Sequence, residues 1–496
     1  MLTGILFGSS ERAIDKIQES RIAETAREMV MLDEWVVPYH NGEIRLQKPP
    51  LTYWLTAASY KLFGVSALSA RLPSAIFSLL TAWLMFIWAK RQLNLTVACN
   101  IVLVFISTFI GLRYFRSGEA DTVFIFFISL ACYSGFKLFE VAKLDLVNKQ
   151  HVWLFMMALG LGFLTKGPAA IAIPILTILI YAFSIKQLPT LKCLLSPAGL
   201  SIFAFTAFAW YAWILLTMPE IAQHFFSRQV DETFISGTHK QPIYWYLAHA
   251  LDFFVPWSLL FIPAGIWCYK NRPLPKIILF SLIWLGVVFV LLTFTVNKQT
   301  QYALLMLPPI VIILGYYLDV ATGNFYKFNR VIFWLLSVAV FVVIAFAIHK
   351  QGLTSLTTPY FAAFLFLMLL PFLFRKVLKV LSPPLPILIA AILAIFIYLF
   401  SEQYLTNEAS KSDIKILMHV ATKKTALYQS MPGNGAVSFY AERPIKPLSE
   451  EQVQQLMITQ PQLWWVSKDK PIIKNIQVNA ETQVGDWTLW KLSKTP

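Results

Sequence analysis

The sequence predicts a polytopic α-helical membrane protein with a small α/β domain at its C-terminus. Three observations lead there. Of 496 residues, 57% are hydrophobic and 14% charged, where a soluble domain carries about 25% charged residues. Mean hydropathy is +0.62. The apolar residues fall in runs near the length of about 20 that crosses a bilayer as a helix. The net charge of +15 resembles that of a nucleic-acid binder, but the excess sits in short loops between apolar runs, so no nucleic-acid partner is expected. Cys99, Cys132, Cys193 and Cys268 lie in or beside apolar runs. They read as small core residues rather than disulfides or metal ligands.

Residues 1–70 form an N-terminal external and interfacial segment. Met1–Ser10 contains too little apolar sequence to span, and lacks the basic start and longer apolar core of a signal peptide. The topology below nevertheless places residues 11–70 outside. The expectation is a truncated or misassigned start, with a first spanning helix missing. Residues 10–32 read as an amphipathic interfacial helix, with Ala13, Ile14, Ile17, Ile22, Ala26 and Met29 on its apolar side and charges elsewhere. Residues 51–64 read as a second one, with Tyr53, Trp54 and Tyr60 at headgroup level. Between them lies Gln47-Lys48-Pro49-Pro50. Two prolines fix φ on consecutive residues, and a cation held there at a membrane surface suits a phosphate.

Residues 71–401 form the membrane region, with about twelve candidate spans: 71–94, 97–115, 120–140, 152–165, 168–184, 194–217, 249–270, 277–296, 302–320, 331–348, 358–374 and 384–401. Thr165-Lys166-Gly167-Pro168 reads as a tight turn. Loops carrying Lys90/Arg91, Lys137/Lys143/Lys149, Lys186/Lys192, Lys270/Arg272/Lys276, Lys327/Arg330 and Arg375/Lys376/Lys379 alternate with the rest. The positive-inside rule makes them cytoplasmic. Asn94-Leu95-Thr96 matches a glycosylation pattern, but this topology puts it inside the cell. Residues 402–496 turn charged, with β-like runs at Ala436–Tyr440 and Leu463–Val466. They read as the external α/β domain.

The opposite face collects Glu19, Arg21, Glu24, Lys48, Arg116, Glu119, Asp121, Lys166, Arg228, Asp231, His239, Lys298 and Tyr302. Each has an ordinary reading. Asp121 opens a span, where a helix dipole favours an acid. Glu19 can be a solvated helix residue, Lys166 and Lys298 snorkelling lysines, and His239 an exposed loop histidine. Together they supply cations for phosphate and carboxylates able to take a proton from a hydroxyl.

Several segments in order resemble the dolichyl-phosphate-mannose protein mannosyltransferase superfamily, and within it the lipid A aminoarabinose transferases. They are Glu19–Met29, Trp35-Val36-Val37-Pro38, Lys48–Trp54, Arg71-Leu72-Pro73-Ser74, Phe163–Pro168, Gln241-Pro242 with Tyr244-Trp245-Tyr246, Pro256-Trp257, and Lys298 with Tyr302 and Pro308. Phe439-Tyr440 followed by Arg443-Pro444 is similar to the family's external domain. The resemblance implies a membrane glycosyltransferase. Its donor would be a polyprenyl (undecaprenyl) phosphate sugar, its acceptor a lipid, protein or glycan, and its location a bacterial inner membrane.

The resemblance also implies residue roles. Glu19 and Asp121 would be the catalytic acids. Lys48, Arg21, Arg116, Lys166, Lys298 and Tyr302 would bind substrate and phosphate. Two departures stand out: Gln18 occupies the position of a family aspartate, and Gln47 that of a metal-binding glutamate. Asp15, one helical turn earlier, is the nearest replacement for the first. A divalent metal is therefore an optional cofactor, with Glu19 and His239 the candidate ligands. Two alternatives compete. A transporter or flippase of lipid-linked sugars predicts charges at mid-bilayer depth and broken helices in matching halves. A non-catalytic homologue is consistent with Gln18 and Gln47.

Cysteine introduced at Ser9 or Lys494 should react with an impermeant reagent applied from outside the membrane. Labelling from the cytoplasmic side only would reverse this topology.

Overall fold

The computed structural model describes residues 12–14, 16–140, 146–220, 240–321, 387–388, 391–392, 394–395, 398, 409–424, 426–473 and 475–494. In chain order its main elements are α1 (Ile17–Leu32), β1 (Tyr39–His40), β2 (Glu43–Ile44), α2 (Leu51–Phe63), α3 (Ala67–Gln92), α4 (Leu95–Ser107), α5 (Phe109–Phe115), α6 (Asp121–Lys137), α7 (Leu146–Lys166), α8 (Ala169–Ser184), α9 (Pro197–Thr217), α10 (Phe261–Lys270), α11 (Lys276–Phe294) and α12 (Leu307–Val320). Then follow α13 (Ala409–Ala421), β3 (Leu427–Ser430), α14 (Gly435–Ala441), β4 (Pro447–Leu448), α15 (Glu450–Thr459), β5 (Gln462–Ser467), β6 (Ile476–Val484) and β7 (Trp487–Lys494). The chain divides into two compact units. One holds Ile76–Phe115 and Asp121–Leu405, the other Leu2–Ala75, Arg116–Ala120 and Thr406–Pro496.

Among the described residues, α3, α9, α11 and the run Thr300–Val320 are long and apolar enough to cross a membrane. The pair α4–α5, bent by 68°, adds one more if it is a single span. The expected span 97–115 is thus broken at Thr108. Its ψ of 132° leaves helical space, its hydroxyl donates back to the Val104 carbonyl at 2.6 Å, and the next N–H, of Phe109, donates to the Val255 carbonyl at 3.0 Å. The expected span 249–270 is also divided, into Ala250–Phe253, Trp257–Leu260 and α10, because Pro256 has no N–H to continue a helix. The spans expected at 331–348 and 358–374, and most of 384–401, lie outside the described residues, as do the basic loops Lys327/Arg330 and Arg375/Lys376/Lys379.

Local chemistry sets the helix ends that matter later. Asn94 is the N-cap of α4, its Oδ1 accepting from the Val97 N–H at 2.8 Å, a bond of the kind worth about 1 kcal/mol. Asp121 occupies the first turn of α6. Lys166 ends α7; Gly167 then takes φ +89°, donates to the Phe163 carbonyl at 2.8 Å, and Pro168 leads into α8. Only a residue without a Cβ takes that φ at little cost, so the turn expected at 165–168 forms. Helix α6 packs along α7.

The other unit is built around α1. This helix begins at Ile17, later than the sequence suggests, and Arg12–Ile14 is not helical. Its charged side is not solvated as expected. Glu19, Glu24, Arg27 and Glu28 are all buried, whereas Ile17, expected on the apolar side, is exposed. The reason is that α2 packs on one side and α14 on another, and internal partners replace water. Arg27 donates to both oxygens of Glu24 at 2.7 Å. Glu28 accepts the N–H groups of Asn41 and Gly42 at 2.6 and 3.0 Å, which fixes the turn between β1 and β2. Tyr53 and Tyr60, expected at headgroup level, lie instead in the core with Ile14, Ile22, Ala23, Ala26, Met29 and Phe439.

Residues 409–494 supply a five-stranded sheet ordered β4-β3-β5-β7-β6. Strands β4, β3 and β5 run parallel, while β7 is antiparallel to both β5 and β6. The run Leu463–Val466 is strand as expected. Ala436–Tyr440 is not: it is the body of α14, capped by the Asn434 side chain accepting from the Ala436 N–H. Its short apolar run fits a buried helix as well as a strand. Asn41 accepts from Ser438 at 2.6 Å, and Ser438 in turn accepts the Ile445 N–H at 2.9 Å. The Tyr440 hydroxyl accepts the Ile14 N–H at 2.7 Å. At Gly435 a Cβ would stand 2.6 Å from the Ser20 carbonyl oxygen and 2.8 Å from His40 Cε1.

Gly435→Val should therefore separate α14 from α1 and cost about 1–3 kcal/mol, the usual range for overpacking. Thermal unfolding in detergent measures it; an unchanged midpoint would show that this approach is not tight.

Candidate functional site

The expected site residues fall into two clusters, one in each unit. The first centres on Glu19, which is fully buried. Its Oε1 accepts from Arg71 Nε at 2.6 Å and from the Gly118 N–H at 2.9 Å, with Arg12 Nη2 at 3.6 Å. The Arg71 guanidinium continues to the carbonyls of Arg12 at 2.8 Å and Ala13 at 3.1 Å. Arg12 donates to the Arg116 carbonyl at 2.6 Å. Ser74 donates to the Glu119 carbonyl at 3.0 Å, and Ser117 to the Glu119 carboxylate at 2.8 Å. A single carboxylate thus joins the strand-like entry at 12–13, helices α1 and α3, and the loop 116–119.

Burial would raise the Glu19 pKa, but the charges of Arg71 and then Arg12 outweigh it and hold the group down at about 2. A carboxylate so shielded and so acidic is a poor acceptor for a substrate proton. The general-base role expected for Glu19 is better read as an anchoring one. Its Oε1 faces two guanidinium groups, while its buried Oε2 has no hydrogen-bond partner among the described residues. Among the described residues no three His, Cys, Asp or Glu side chains gather as a metal site would require. His239 lies outside the described residues, together with Arg228, Asp231 and Asp15.

Lys48 is half-buried directly before buried Pro49 and Pro50, and Pro50 is the N-cap of α2. The two prolines place the lysine at the start of a helix rather than in a mobile loop. Arg21 is half-buried on α1, and Arg116 is buried. Near them, His40 is pushed down to about 3 by burial first and then by the charges of Arg45 and Arg21. The imidazole is therefore neutral beside two guanidinium groups, an arrangement that favours an anion.

The second cluster centres on Asp121. Its Oδ1 is 2.5 Å from Lys166 Nζ. Helix α6 offers the acid at its N-terminus and α7 the lysine at its C-terminus, so both charges also match the helix dipoles. Lys166 lies 4.7 Å from the centre of the Tyr302 ring and 5.9 Å from that of Phe124. Tyr246 donates to the Gln299 carbonyl at 3.2 Å. Lys298 is buried and donates to the Thr295 carbonyl. The structure therefore brings Asp121, Lys166 and Tyr302 together, and ties Lys298 to its own loop.

Reasoning from sequence missed Arg12 and Arg71 as partners of Glu19, and Arg45 and His40 beside Arg21. For Arg71 there was a signal, since an arginine inside an apolar run needs a buried partner. Nothing in the local sequence indicates Gly118 N–H or His40.

Comparisons with known proteins follow the same direction. Residues 47–213 match the family described as dolichyl-phosphate-mannose-protein mannosyltransferase. An uncharacterized protein of Aquifex aeolicus is 28% identical over 363 residues, 72% of this chain and 69% of that one. The undecaprenyl phosphate-alpha-4-amino-4-deoxy-L-arabinose arabinosyl transferase 1 of Proteus mirabilis is 30% identical over 312 residues, 61% of this chain. The chain thus spans 55% of the length of that transferase. In fold it is similar to the crystal structure of ArnT from Cupriavidus metallidurans bound to undecaprenyl phosphate, with TM-score 0.81, 18% identity, and coverage of 99% of this chain and 96% of that one.

Glu19→Gln should cost about 3–5 kcal/mol of stability at neutral pH, because it leaves two arginines buried without their counter-charge. The pH dependence carries the sign. With a folded pKa near 2 against an ordinary value of 4.5, the wild-type group stabilises above pH 4.5 and loses that contribution as pH falls towards 2. Thermal unfolding across that window should fall more steeply for wild type than for the variant. Parallel curves would remove Glu19 from its anchoring role.

Proposed function

We propose that this chain, a member of the dolichyl-phosphate-mannose-protein mannosyltransferase and aminoarabinose transferase superfamily, is a membrane glycosyltransferase using a polyprenyl phosphate sugar. The sugar would pass to a lipid, protein or glycan acceptor on the external face of a bacterial inner membrane. The observation that carries this reading is the Asp121–Lys166 pair, set at the ends of two helices beside Tyr302.

In this reading Asp121 takes the proton of the acceptor hydroxyl. The oxygen attacks the anomeric carbon, the bond from that carbon to the phosphate oxygen breaks, and polyprenyl phosphate leaves. Lys166 orients the carboxylate through their ion pair. Lys48 and Arg21 are the candidate cations for the lipid phosphate. Arg116 supports them by fixing the loop through its carbonyl. Lys298 and Tyr302 shape the surroundings of Lys166. No step is assigned to a metal. Relative to the expectation from sequence, Glu19 moves from base to anchor, and Asp121 keeps its role.

The test is release of undecaprenyl phosphate by the purified full-length protein given an undecaprenyl phosphate sugar and an acceptor. Asp121→Asn should lower turnover by about 10²–10⁴-fold, the usual contribution of a general base, with donor binding kept. Lys48→Ala should abolish transfer while the protein still folds, because a half-exposed lysine contributes little to stability. Wild-type turnover in Asp121→Asn would remove the assignment. No release by wild type with any such donor would favour a non-catalytic homologue, with which Gln18 and Gln47 are consistent.

A further inference from the structure

The second unit contains a cavity far along the chain from every residue assigned above. Its volume is about 490 Å³, and it opens at the carboxyl ends of the parallel strands β3, β4 and β5. Ser430 ends β3 and Met431 follows it, Ser449 and Glu450 follow β4, and Ser467 ends β5 with Lys468 to Pro471 following. In open α/β sheets this edge is the usual place for a ligand, because the strands end there and the loops beyond them are at liberty to vary.

The lining is specific in chemistry. Trp465 and Trp487 supply two indoles. Trp465 is 2% exposed, and its buried Nε1–H has no acceptor among the described residues, an uncommon state for a buried donor. Trp487 is half-buried, with Lys468 Nζ 5.4 Å from its ring centre and 3.5 Å from Asp486. Hydroxyls come from Ser430, Ser449 and Ser467. The charges balance, Lys468 and Lys470 against Glu450 and Asp469.

That balance argues against a phosphate or a polyanion, which would call for an excess of cations. The half-buried Trp487 indole, bordered by hydroxyls and by both signs of charge, suits a ring with an apolar C–H face and a rim of hydroxyl groups. We propose that this cavity binds a pyranose unit, and that it holds the saccharide part of the acceptor. The second half of the proposal rests on the glycosyltransferase reading; the first half does not. Nothing in the cavity reacts. It contributes acceptor affinity, and so should influence KM rather than kcat.

The experiment uses the full-length protein in detergent. Saturation-transfer NMR with N,N′-diacetylchitobiose (hereafter chitobiose), a neutral pyranose disaccharide, reads binding directly. Wild type should transfer saturation to the sugar protons, and both Trp487→Ala and Lys470→Ala should lose most of it. Trp487 also packs on the neighbouring core, so the exposed Lys470 provides the variant that leaves the fold intact. In the transfer assay both variants should raise the KM of a glycan-bearing acceptor by about tenfold, the equivalent of one lost stacking or charge-assisted contact, with kcat and donor KM unchanged. No saturation transfer to chitobiose by wild type, or equal transfer in wild type and both variants, would overturn the pyranose site. Saturation transfer with unchanged acceptor KM would overturn its acceptor role. If wild type released no lipid phosphate, the glycosyltransferase reading would fail while the NMR result still decided the site.

Discussion

A buried carboxylate governs the unit that contains the N-terminal segment. Glu19 has no contact with water, yet it draws in two arginines and a backbone N–H from three separate stretches of chain. A lone charge there would be prohibitive to bury. Once Arg71 and Arg12 are present the same charge becomes a directional constraint, because the guanidinium groups also bind the carbonyls of residues 12, 13 and 116. The position of the loop 116–119 then follows from that of α1. The usual caution about buried ion pairs is that they stabilise less than apolar packing. What they supply here is a unique register for segments far apart in sequence.

A second layer of order surrounds α1. Its polar groups do not face solvent; they are used up internally, Glu24 by Arg27 and Glu28 by the turn at Asn41-Gly42. From that turn a chain of hydrogen bonds runs through Ser438 to Ile445, so the segment after residue 406 is part of the same core as the first helix. Close approach at Gly435 makes this contact possible. Apolar packing through Tyr53, Tyr60 and Phe439 fills the remaining space.

The Asp121–Lys166 pair follows a different logic. Both residues sit at helix ends, where the dipoles favour their charges, and Gly167 ends α7 at the lysine. Little tertiary adjustment is needed to hold such a pair. Asp121 is a buried carboxylate at a helix N-terminus with one oxygen held by a lysine, and an aromatic ring lies beside that lysine. The two acids thus differ in how many partners hold them: Lys166 for Asp121, and two arginines with a backbone N–H for Glu19.

The sequence by itself determined the membrane class, the approximate positions of most described helices, the turn at 165–168 and the placement of Asp121. These depend on local properties: run length, Gly and Pro at helix ends, and an acid in a first turn. Its motifs resemble those of the family whose model matches residues 47–213. It did not reveal the burial of α1, because an amphipathic pattern does not say whether its polar side meets water or other side chains. It misassigned 436–440, because a five-residue apolar run satisfies helix and strand alike. It treated Glu19 and Asp121 as equivalent acids. Only the tertiary structure separated them, since the partners that hold Glu19 come from residues 12, 71 and 118, and a pKa is set by the groups that folding brings within reach.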